Sequence, residues 1–408
     1  QYHLHRAAEL LRAAEKNLRA SVPSAKRIMP AGDFRRGCEL VSDLSLVVEI
    51  SGTKKSEVLK PSAQLTVYLA NTARFGAALL WATGSATHVA ALRARAHELG
   101  FALGADGLHS GARTIAAAEE KDIYAALDLP FIEAEMREGD DELVRAERGN
   151  LPALVRDGDL QGLLHVHTDL SDGVNTIEDM AESARARGYT YLGIADHSQS
   201  AHYAGGLTPE EIIAQHAAID RLNKKFGSKF RVLKGIESDI RADGSLDYPD
   251  ELLARFDFVV ASVHSRFRLD REAQTERIIR AVQSPYTTIL GHMTGRQLLR
   301  RPSYAIDIEK VLATCASSGV AVEINANPWR LDLDWRWHRR ALELGCVMSI
   351  NPDAHSISEL DLTHWGVEMA RKGGVPRDRV LNCLKLSALL SFMKRRRERF
   401  SLPPGTAA

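Results

Sequence analysis

Histidine and carboxylate side chains follow several short apolar runs in the second half of the chain. The segment HVHTDLSDG contains the first three of them, His165, His167 and Asp172. Neutral imidazole nitrogens and carboxylate oxygens both bind Zn²⁺ or Mn²⁺. Because alternate residues of a strand point to the same face, His165 and His167 are expected to bind one ion together. The remaining candidate metal ligands are His197, Glu237, His264, His292, Asp353 and His355.

A cluster of these residue types favours hydrolysis of phosphate esters. Neighbouring divalent ions lower the pKa of a shared water from about 15.7 towards about 7, which produces a nucleophile at neutral pH. They also neutralise charge that develops on phosphate oxygens. A carboxylate such as Glu237 can bridge two ions, and we expect Glu237, Asp353 and His167 to activate the metal-bound water. A single His-X-His pair is structural at least as often as metal-binding, so the inference depends on the whole set.

Seven apolar runs of strand length must position these side chains. Helical stretches separate most of the runs, which favours a parallel sheet, and seven repeats of this alternation favour a barrel. Parallel strands in a barrel bring their carboxyl ends to one rim, where active sites lie. Six runs end in a candidate ligand, and only the sixth, which reaches Glu323, has no obvious one. The runs are 163–166, 191–195, 232–236, 258–263, 287–290, 320–324 and 347–350.

Three arginines, Arg266, Arg296 and Arg330, follow the fourth, fifth and sixth runs. A guanidinium can bind a phosphate through two parallel hydrogen bonds, so each arginine is a candidate for substrate binding. A structural ion pair explains any one of them equally well. The sequence therefore predicts a phosphate site at the rim and leaves open which arginines form it.

Composition limits which metal ions, which kind of DNA contact and which cellular location we expect. The four cysteines have no CxxC spacing, which argues against a thiolate zinc site, so Mn²⁺ and Fe²⁺ remain as plausible as Zn²⁺. Lysine and arginine together number 53, as do aspartate and glutamate, so the formal net charge is zero. This balance argues against a large permanent DNA footprint but allows a local basic groove. No signal peptide or membrane-spanning stretch is visible, and we expect a soluble, cytoplasmic protein.

The successive motifs resemble those of the polymerase-and-histidinol-phosphatase (PHP) domain, in the form fused to bacterial family X DNA polymerases. The motifs are HVHTDLSDG, ADHS, GIESDI, SVHSRF, GHMTGR, EINANPWRLDL and NPDAHS. The resemblance runs in order from Leu163 to Val380, and it implies a distorted (β/α)7 barrel. One departure is Leu163 itself, where the family usually has Asp, but that position is not a ligand.

The PHP resemblance also implies three divalent ions (Mn²⁺, Zn²⁺ or Fe²⁺) held by the nine side chains. It favours Arg266 and Arg330 as phosphate contacts. The ligand groups that it implies are His165, His167, Glu237 and Asp353 for one ion, Glu237, His264 and His292 for a second, and Asp172, His197 and His355 for a third.

The chain before the barrel resembles the palm and thumb of a family X polymerase. The segments that carry this resemblance are AGDFRRG, ELVSDLSLVV, FGAALLWATGSATHVAALRARA and DIYAALDLPFIEAEMRE. They imply a smaller α+β region that is palm-like at 1–78 and thumb-like with a linker at 79–150, ahead of the PHP barrel at 160–400. The family's end-binding and fingers regions are not contained in this chain. Apolar spacing predicts an opening helix from Leu4, strands at LSLVVEI and LTVYL, and a helix capped by Ser85 or Thr87.

Several side chains that polymerisation requires are replaced. Nucleotidyl transfer needs carboxylates that hold two Mg²⁺ ions. Asp43 fits the first of the family's paired aspartates, but Ser45 occupies the second and the segment AQLTVYL contains no third. Asp33 replaces a serine that contacts the triphosphate, and Val89 replaces an asparagine that contacts the nucleotide, so we predict no polymerase activity. Arginines that could still touch a DNA backbone, but that we expect to be ordinary solvated side chains, are Arg35, Arg36, Arg93 and Arg95.

Three functions follow from these patterns. The first is a metal-dependent phosphoesterase that acts on DNA ends as a 3′–5′ exonuclease, a 3′-phosphatase or both, with an inactive polymerase module. The second is a small-molecule phosphomonoesterase of the histidinol-phosphatase kind. The third is a non-catalytic repair protein that docks DNA, which the intact ligand set argues against.

Overall fold

Two structural units make up the chain in this computed structural model, which describes residues 1–51 and 57–400. The first unit is Gln1–Pro152, and the second runs from Ala153 to Ala408. Residues 52–56, which fall within the predicted palm-like segment 1–78, lie outside the described residues. No helix in the described ranges is long and apolar enough to cross a membrane.

The strands of the first unit form three sheets. In chain order they are β1 (Tyr2–His3), β2 (Ala25–Ala31), β3 (Leu40–Val41), β4 (Leu44–Ile50), β5 (Glu57–Leu59), β6 (Leu65–Ala70), β7 (Ala102–Gly104), β8 (Gly107–Ser110) and β9 (Arg113–Ala116). β1 pairs with β3, the order β2-β4-β6-β5 forms a mixed sheet, and β7-β8-β9 form an antiparallel sheet. The predicted strands LSLVVEI and LTVYL are confirmed as β4 and β6, which are parallel neighbours.

Helices cover the same unit. They are α1 (Leu4–Ser21), α2 (Gly32–Arg35), α3 (Phe75–Thr83), α4 (Ala86–Glu98), α5 (Glu120–Ala126) and α6 (Glu142–Glu147). α1 confirms the predicted opening helix and buries Leu4, Ala7 and Leu11 along one face. α4 begins after Ser85, whose side chain accepts a hydrogen bond from the His88 amide, as a capping serine does.

A buried ionic network ties the first unit together. Glu120 of α5 accepts hydrogen bonds from Arg35 at 2.8 and 2.7 Å and from the fully buried Arg137 at 2.5 Å. Arg36 pairs with Glu138 at 3.0 Å. The prediction of solvated arginines is therefore wrong for Arg35 and Arg36. Their partners Glu120 and Glu138 lie 85 and 102 residues away in sequence, where spacing along the chain cannot reveal them.

Seven parallel strands form the sheet of the second unit, as the alternating pattern predicts. They pair in chain order, each with the next, and six of the seven begin within a residue of the predicted runs. The fifth is shorter, because only the last two residues of the predicted run extend. The strands are β10 (Gly162–Val166), β11 (Tyr191–Ile194), β12 (Arg231–Asp239), β13 (Phe258–Ser262), β14 (Ile289–Leu290), β15 (Ala321–Asn325) and β16 (Met348–Asn351).

Helices connect and cover these strands, which makes the unit a nearly closed (β/α)7 barrel of the predicted class. α8 begins at Pro209, and Thr208 and Glu211 form the predicted capping box around its start. The helices are α7 (Ile177–Ala186), α8 (Pro209–Phe226), α9 (Asp250–Leu253), α10 (Arg271–Gln283), α11 (Ile308–Ser318), α12 (His338–Leu344), α13 (Thr363–Lys372) and α14 (Leu386–Glu398).

The barrel closes between its first and last strands through one short contact. Val166 of β10 bridges Ala354, which lies just beyond β16, and the His167 amide donates to the Ala354 carbonyl at 2.8 Å. β10 also contains a register shift between Leu163 and Val166. This irregular seam is the distortion of the barrel, and it lies beside the predicted ligands His165, His167 and Asp353.

Glycines let the strands approach an aromatic core residue. Phe258 of β13 is fully buried among aliphatic side chains that include Leu164 and Leu233. A Cβ at Gly193 would lie 2.6 Å from the Phe258 ring, and one at Gly235 would lie 2.3 Å from it. Neither position has room for a side chain, so the ring packs directly on the backbone of β11 and β12.

Candidate metal centre and phosphate site

The nine predicted ligands meet at the carboxyl ends of the barrel strands. Eight of them lie at or just beyond a strand end, and Asp172 lies in the loop after β10. Most are buried: His165 and His167 are fully so, and Glu237 is 1% exposed. The structure therefore brings together side chains that are spread over 190 positions of sequence.

A bulge, and not regular alternation, aims the first histidine pair. His165 has a φ of +59°, a conformation that non-glycine residues rarely adopt, and it sits in the register shift of β10. Asp353 has a φ of +51°. Both histidines nevertheless reach the same carboxylate: Asp353 Oδ1 lies 3.5 Å from His165 Nε2 and 3.1 Å from His167 Nε2. Strained backbone of this kind concentrates at functional sites.

Glu237 has imidazole nitrogens around both of its oxygens. The Nε2 atoms of His165, His264 and His292 lie 3.3, 3.2 and 3.0 Å from Oε1. His197 Nδ1 lies 3.0 Å and His167 Nε2 lies 3.7 Å from Oε2. The carboxylate thus stands between two groups of histidines, which is the arrangement that a bridging ligand requires.

Asp172 collects the remaining histidines at the outer edge. Its oxygens lie 3.3 Å from His355 Nε2, 3.5 Å from His197 Nε2 and 3.8 Å from His167 Nδ1. The side chains of Asp172 and His355 are 33% and 30% exposed, so this part of the cluster is open to solvent. His167 presents one nitrogen to Asp172 and the other to Asp353, so it lies between the inner and outer groups.

The cluster fits divalent cations on two observations. Ligand atoms that share an ion at about 2.0–2.2 Å lie about 3–3.6 Å apart, which matches most of the separations above. Buried polar atoms are ordinarily hydrogen-bonded, yet several here have no such partner. Those atoms are His165 Nε2, His167 Nδ1, His197 Nδ1, Glu237 Oε2 and His292 Nδ1.

Charge in the cluster is arranged to attract cations. Burial lowers the pKa of His264, but Glu237 and Asp239 outweigh it and raise that pKa to about 10. Burial and the neighbouring rings of His355 and His197 lower the pKa of His167 to about 3. Protons and metal ions compete for the same imidazole nitrogens. The carboxylate charge that stabilises a proton on His264 would therefore also stabilise a bound divalent ion.

Carboxylates behind the cluster orient its histidines, and the sequence did not single them out. Glu323 of β15, the strand without an obvious ligand, is fully buried and lies 2.5 Å from His165 Nδ1. Its other oxygen accepts from the His292 amide at 2.7 Å. Asp239 lies 2.6 Å from His264 Nδ1. Glu323 and Asn325 are two residues apart on one strand and point to the same face, and this spacing is the signal that could have revealed Glu323.

Asp196 anchors the loop that carries Asp172. It is fully buried and accepts hydrogen bonds from the Thr168 amide at 2.7 Å, from the Thr168 hydroxyl at 2.8 Å and from the Ser171 hydroxyl at 2.6 Å. Gln215 of α8 donates to the same carboxylate at 2.7 Å. These hydrogen bonds hold the loop after β10 in place, which fixes the position of Asp172 in that loop.

The three predicted phosphate-binding arginines have different surroundings. Arg330 lies beside the cluster, with Nε 3.7 Å from Asp353 Oδ2. Arg266 is exposed two residues after His264, with a φ of +56°. Arg296 is 7% exposed; it pairs with Asp334 at 2.7 Å and donates to the carbonyls of Arg330 and Leu331.

These contacts assign Arg296 to bracing the loop that carries Arg330. Its guanidinium faces carbonyls and a carboxylate, which leaves little of it for an incoming phosphate. The alternative that the sequence left open, a structural ion pair, describes its surroundings. Arg266 and Arg330 remain as proposed phosphate contacts.

The positions relevant to polymerisation lie around the mixed sheet of the first unit. Asp43 is exposed before β4, and Ser45 is buried between Ala31 of β2 and Thr66 of β6. Asp33 pairs with Arg36 at 2.7 Å and accepts from the Ser42 amide at 3.1 Å. Of the three carboxylate positions predicted from the family pattern, one therefore carries a carboxylate.

Known proteins resemble both units. Residues 78–138 match the family model described as DNA polymerase beta thumb, and residues 164–327 match the model described as PHP domain. The DNA polymerase/3′-5′ exonuclease PolX of Bacillus subtilis (strain 168) is 36% identical over 395 residues, which cover 90% of this chain and 68% of that protein. A probable phosphatase of Thermoanaerobacter sp. (strain X514) is 29% identical over 238 residues, which cover 53% of this chain and 88% of that protein. A probable phosphatase of Acetivibrio thermocellus is 32% identical over 165 residues, or 40% of this chain and 63% of that protein.

Proposed function

This chain belongs to the PolX family, and we propose that it hydrolyses phosphate esters at DNA ends as a 3′–5′ exonuclease, a 3′-phosphatase or both. Its class, a metal-dependent hydrolase of phosphate esters, is established by the PHP domain together with the exonuclease and phosphatase relatives. The observation that carries the proposal is the convergence of nine intact ligand side chains at one mouth. Exposed arginines beside that mouth favour a polyanionic substrate such as DNA.

The ligand assignment is the one that the PHP resemblance implies, and the distances support it in part, since His197 Nδ1 also lies 3.0 Å from Glu237 Oε2. Three divalent ions would be held with Glu237 as the central bridge, and the cluster contains no thiolate, which keeps Mn²⁺, Fe²⁺ and Zn²⁺ as candidates. In that assignment one ion would be held by His165, His167, Glu237 and Asp353, a second by Glu237, His264 and His292, and a third by Asp172, His197 and His355.

The chain's own residues hold and orient the reacting groups. When bound, the ions supply Lewis-acid chemistry: they acidify water and neutralise charge on phosphate oxygens. Glu237, Asp353 and His167 are the proposed catalytic residues, because His167 Nε2 lies 3.1 Å from Asp353 and 3.7 Å from Glu237 and the three side chains therefore face one point. Arg330 and Arg266 would bind the phosphate oxygens from the side of β13 and β15.

A basic lip favours DNA over a small ester. We give this name to the arginines Arg266, Arg268, Arg300 and Arg330, which lie in the loops after β13, β14 and β15. Arg266, Arg268 and Arg300 are exposed. Because the carboxyl ends of parallel strands share one rim, the lip borders the mouth on that side. A phosphomonoester needs one such group, whereas successive phosphates of a strand could use several.

Hydrolysis of DNA ends and of a small phosphomonoester should be compared across a salt series with Mn²⁺-supplied protein. Hydrolysis of single-stranded and 3′-recessed DNA is expected to fall at least about tenfold between about 50 and about 200 mM salt, because each phosphate contact releases counterions. Hydrolysis of the small ester should change little. The proposal fails if DNA is left intact while the small ester is consumed.

That opposite outcome would establish the second candidate function, a small-molecule phosphomonoesterase. Its support is the similarity to probable phosphatases, one of which is matched over 88% of its own length by 53% of this chain. A double substitution, Arg268→Ala with Arg300→Ala, separates the two candidates. It should weaken DNA hydrolysis and reduce its salt dependence, and it should leave the small ester unaffected.

We also propose that the first unit does not polymerise DNA. Two Mg²⁺ ions need several carboxylates, yet Ser45 stands at one expected position and β6 offers none. Asp33 would place a negative charge where a triphosphate should bind. Extension of a primer on a template with Mg²⁺ and nucleotides is expected to be undetectable. Template-dependent extension by the purified chain would overturn this proposal and leave the hydrolase proposal untouched.

A further inference from the structure

Tyr203 stands over the mouth of the metal cluster. It belongs to a short turn, His202–Ala204, in the loop after β11. Its ring centroid lies 6.0 Å from that of His197 and 6.3 Å from that of His264. With 71% of its surface exposed, Tyr203 is among the most exposed large hydrophobic residues of the described chain. An aromatic face is thus presented to solvent beside the ions' ligands.

The loop under Tyr203 is fixed by buried contacts. The flanking Ala201 and Ala204 are 0% and 3% exposed. The Ser200 amide donates to the buried Asp247 at 2.6 Å, and the Gln199 amide donates to the Tyr248 hydroxyl at 3.0 Å. These anchors set the position of the ring before any ligand arrives, so little loop ordering opposes the binding of a flat group to it.

Although the loop beneath it is fixed, the ring itself makes few contacts within the described residues. The Tyr203 hydroxyl makes no hydrogen bond to a described side chain or backbone group, and the ring buries little surface. A tyrosine hydroxyl is neutral at physiological pH, because its ordinary pKa is about 10. A neutral, exposed aromatic ring can stack on a flat partner without a charge penalty.

We propose that Tyr203 stacks on the base of the terminal nucleotide when the phosphate of that nucleotide lies in the cluster. The inference rests on the proposed function at DNA ends and assigns a residue to substrate choice. In a nucleotide the sugar holds the base away from the phosphate, so a base platform belongs beside the ligands and not among them. Every base has an aromatic face, so the contact serves any sequence. It also favours an unpaired end, whose base is free to leave its neighbours.

The test compares ends that differ only in the base. Single-stranded oligonucleotides that end in a normal nucleotide or in an abasic tetrahydrofuran nucleotide are incubated with the Mn²⁺-supplied chain, and their hydrolysis is measured. Tyr203→Ala is expected to raise the KM for the normal end about tenfold and to leave the abasic end unchanged. Tyr203→Phe, which keeps the ring, should match the unsubstituted protein. The matched control is Val174→Ala, because Val174 is 72% exposed in the loop after β10.

A binding readout separates stacking from catalysis. A slowly hydrolysed phosphorothioate end carrying terminal 2-aminopurine should lose fluorescence on binding, and Tyr203→Ala should abolish that loss. The inference is overturned if Tyr203→Phe is as defective as Tyr203→Ala, since the hydroxyl would then act, or if normal and abasic ends are affected equally. An unsubstituted protein that hydrolyses neither end would instead overturn the proposed function, and this inference with it.

Discussion

Glu237 contributes to more of the cluster than any other carboxylate, since nitrogens of five histidines lie within 3.7 Å of its oxygens. A carboxylate in that position neutralises bound cations and fixes the distance between them. A neutral amide of the same shape would keep the packing but lose the charge. A comparison of the unsubstituted protein with Glu237→Gln therefore isolates the electrostatic role of this residue.

Glu237→Gln is expected to lower hydrolysis at least about a hundredfold, because charge at a reacting centre is worth that much in rate. Metal content measured by plasma mass spectrometry should fall with it. The control is Glu210→Gln, an exposed residue in the first turn of α8. Unchanged activity and unchanged metal content in Glu237→Gln would refute the bridging assignment.

Glu323 acts on a histidine ligand from behind. Removing its charge should lower the basicity of His165 and loosen the ring's orientation without removing a ligand. Glu323→Gln is expected to raise the Mn²⁺ concentration for half-maximal hydrolysis about 10- to 100-fold, while kcat at saturating Mn²⁺ stays close to that of the unsubstituted protein. Metal titration of activity measures both quantities.

Glu276→Gln is the comparison for that substitution, since Glu276 forms a surface pair with Lys310 and such pairs contribute little. A fall in kcat that saturating Mn²⁺ does not restore would show that Glu323 does more than orient a ligand. Normal metal affinity in Glu323→Gln would show that it does less.

At the scale of elements, strands β11, β12 and β13 are held together where glycine backbone meets the Phe258 ring. A Cβ at Gly235 would lie 2.3 Å from ring carbons and 2.5 Å from the Ile194 carbonyl oxygen, so a rotamer change of Phe258 alone cannot make room. The backbone of a ligand-bearing strand would have to move. Glu237 follows two residues later on the same strand.

Gly235→Ala is expected to lower the free energy of unfolding by about 2 kcal/mol, the usual cost of overpacking a core. The midpoint of urea-induced unfolding measures it. Gly158→Ala is the matched control, because nothing lies within 4 Å of a Cβ there. Equal midpoints for the two variants would contradict the packing described.

The elements were largely predictable from the sequence, and the details of the cluster were not. Runs such as 258–263 are apolar except for Ser262, a pattern typical of a strand covered on both faces, so the barrel and its rim followed. The bulge at His165 depends on closure between β10 and β16, a contact between residues 188 apart, which leaves no local signal. The sequence contains Glu323 after the sixth run, but nothing near it in the sequence indicates which side chain it contacts. The proposed role of Tyr203 depends on the exposure of its side chain, which no local sequence pattern predicts.

At the scale of the whole molecule, six of the seven barrel strands carry proposed metal ligands, so we expect metal binding and barrel stability to be coupled. A ligand that binds only the folded state stabilises it, by about 2.7 kcal/mol when present at about 100 times its dissociation constant. Chelation should therefore affect the barrel unit as a whole and not one loop.

Addition of Mn²⁺ is expected to raise the Tm of the barrel unit by several degrees, and a chelator should reverse the change. Scanning calorimetry measures it, and Glu237→Gln should respond less than the unsubstituted protein. Identical thermograms with Mn²⁺ and with chelator would contradict the coupling between the cluster and the barrel.

The seam between β10 and β16 has a consequence for the protein's synthesis. His167 follows the first barrel strand, and its partner Asp353, 186 residues later, follows the last. While the ribosome is still translating the intervening strands, the emerging chain lacks Asp353 and His355 and the bridge at Ala354. A prematurely terminated product thus carries several ligands but not the complete centre. Hydrolysis that requires the complete proposed centre would therefore begin only after the final strand has been translated.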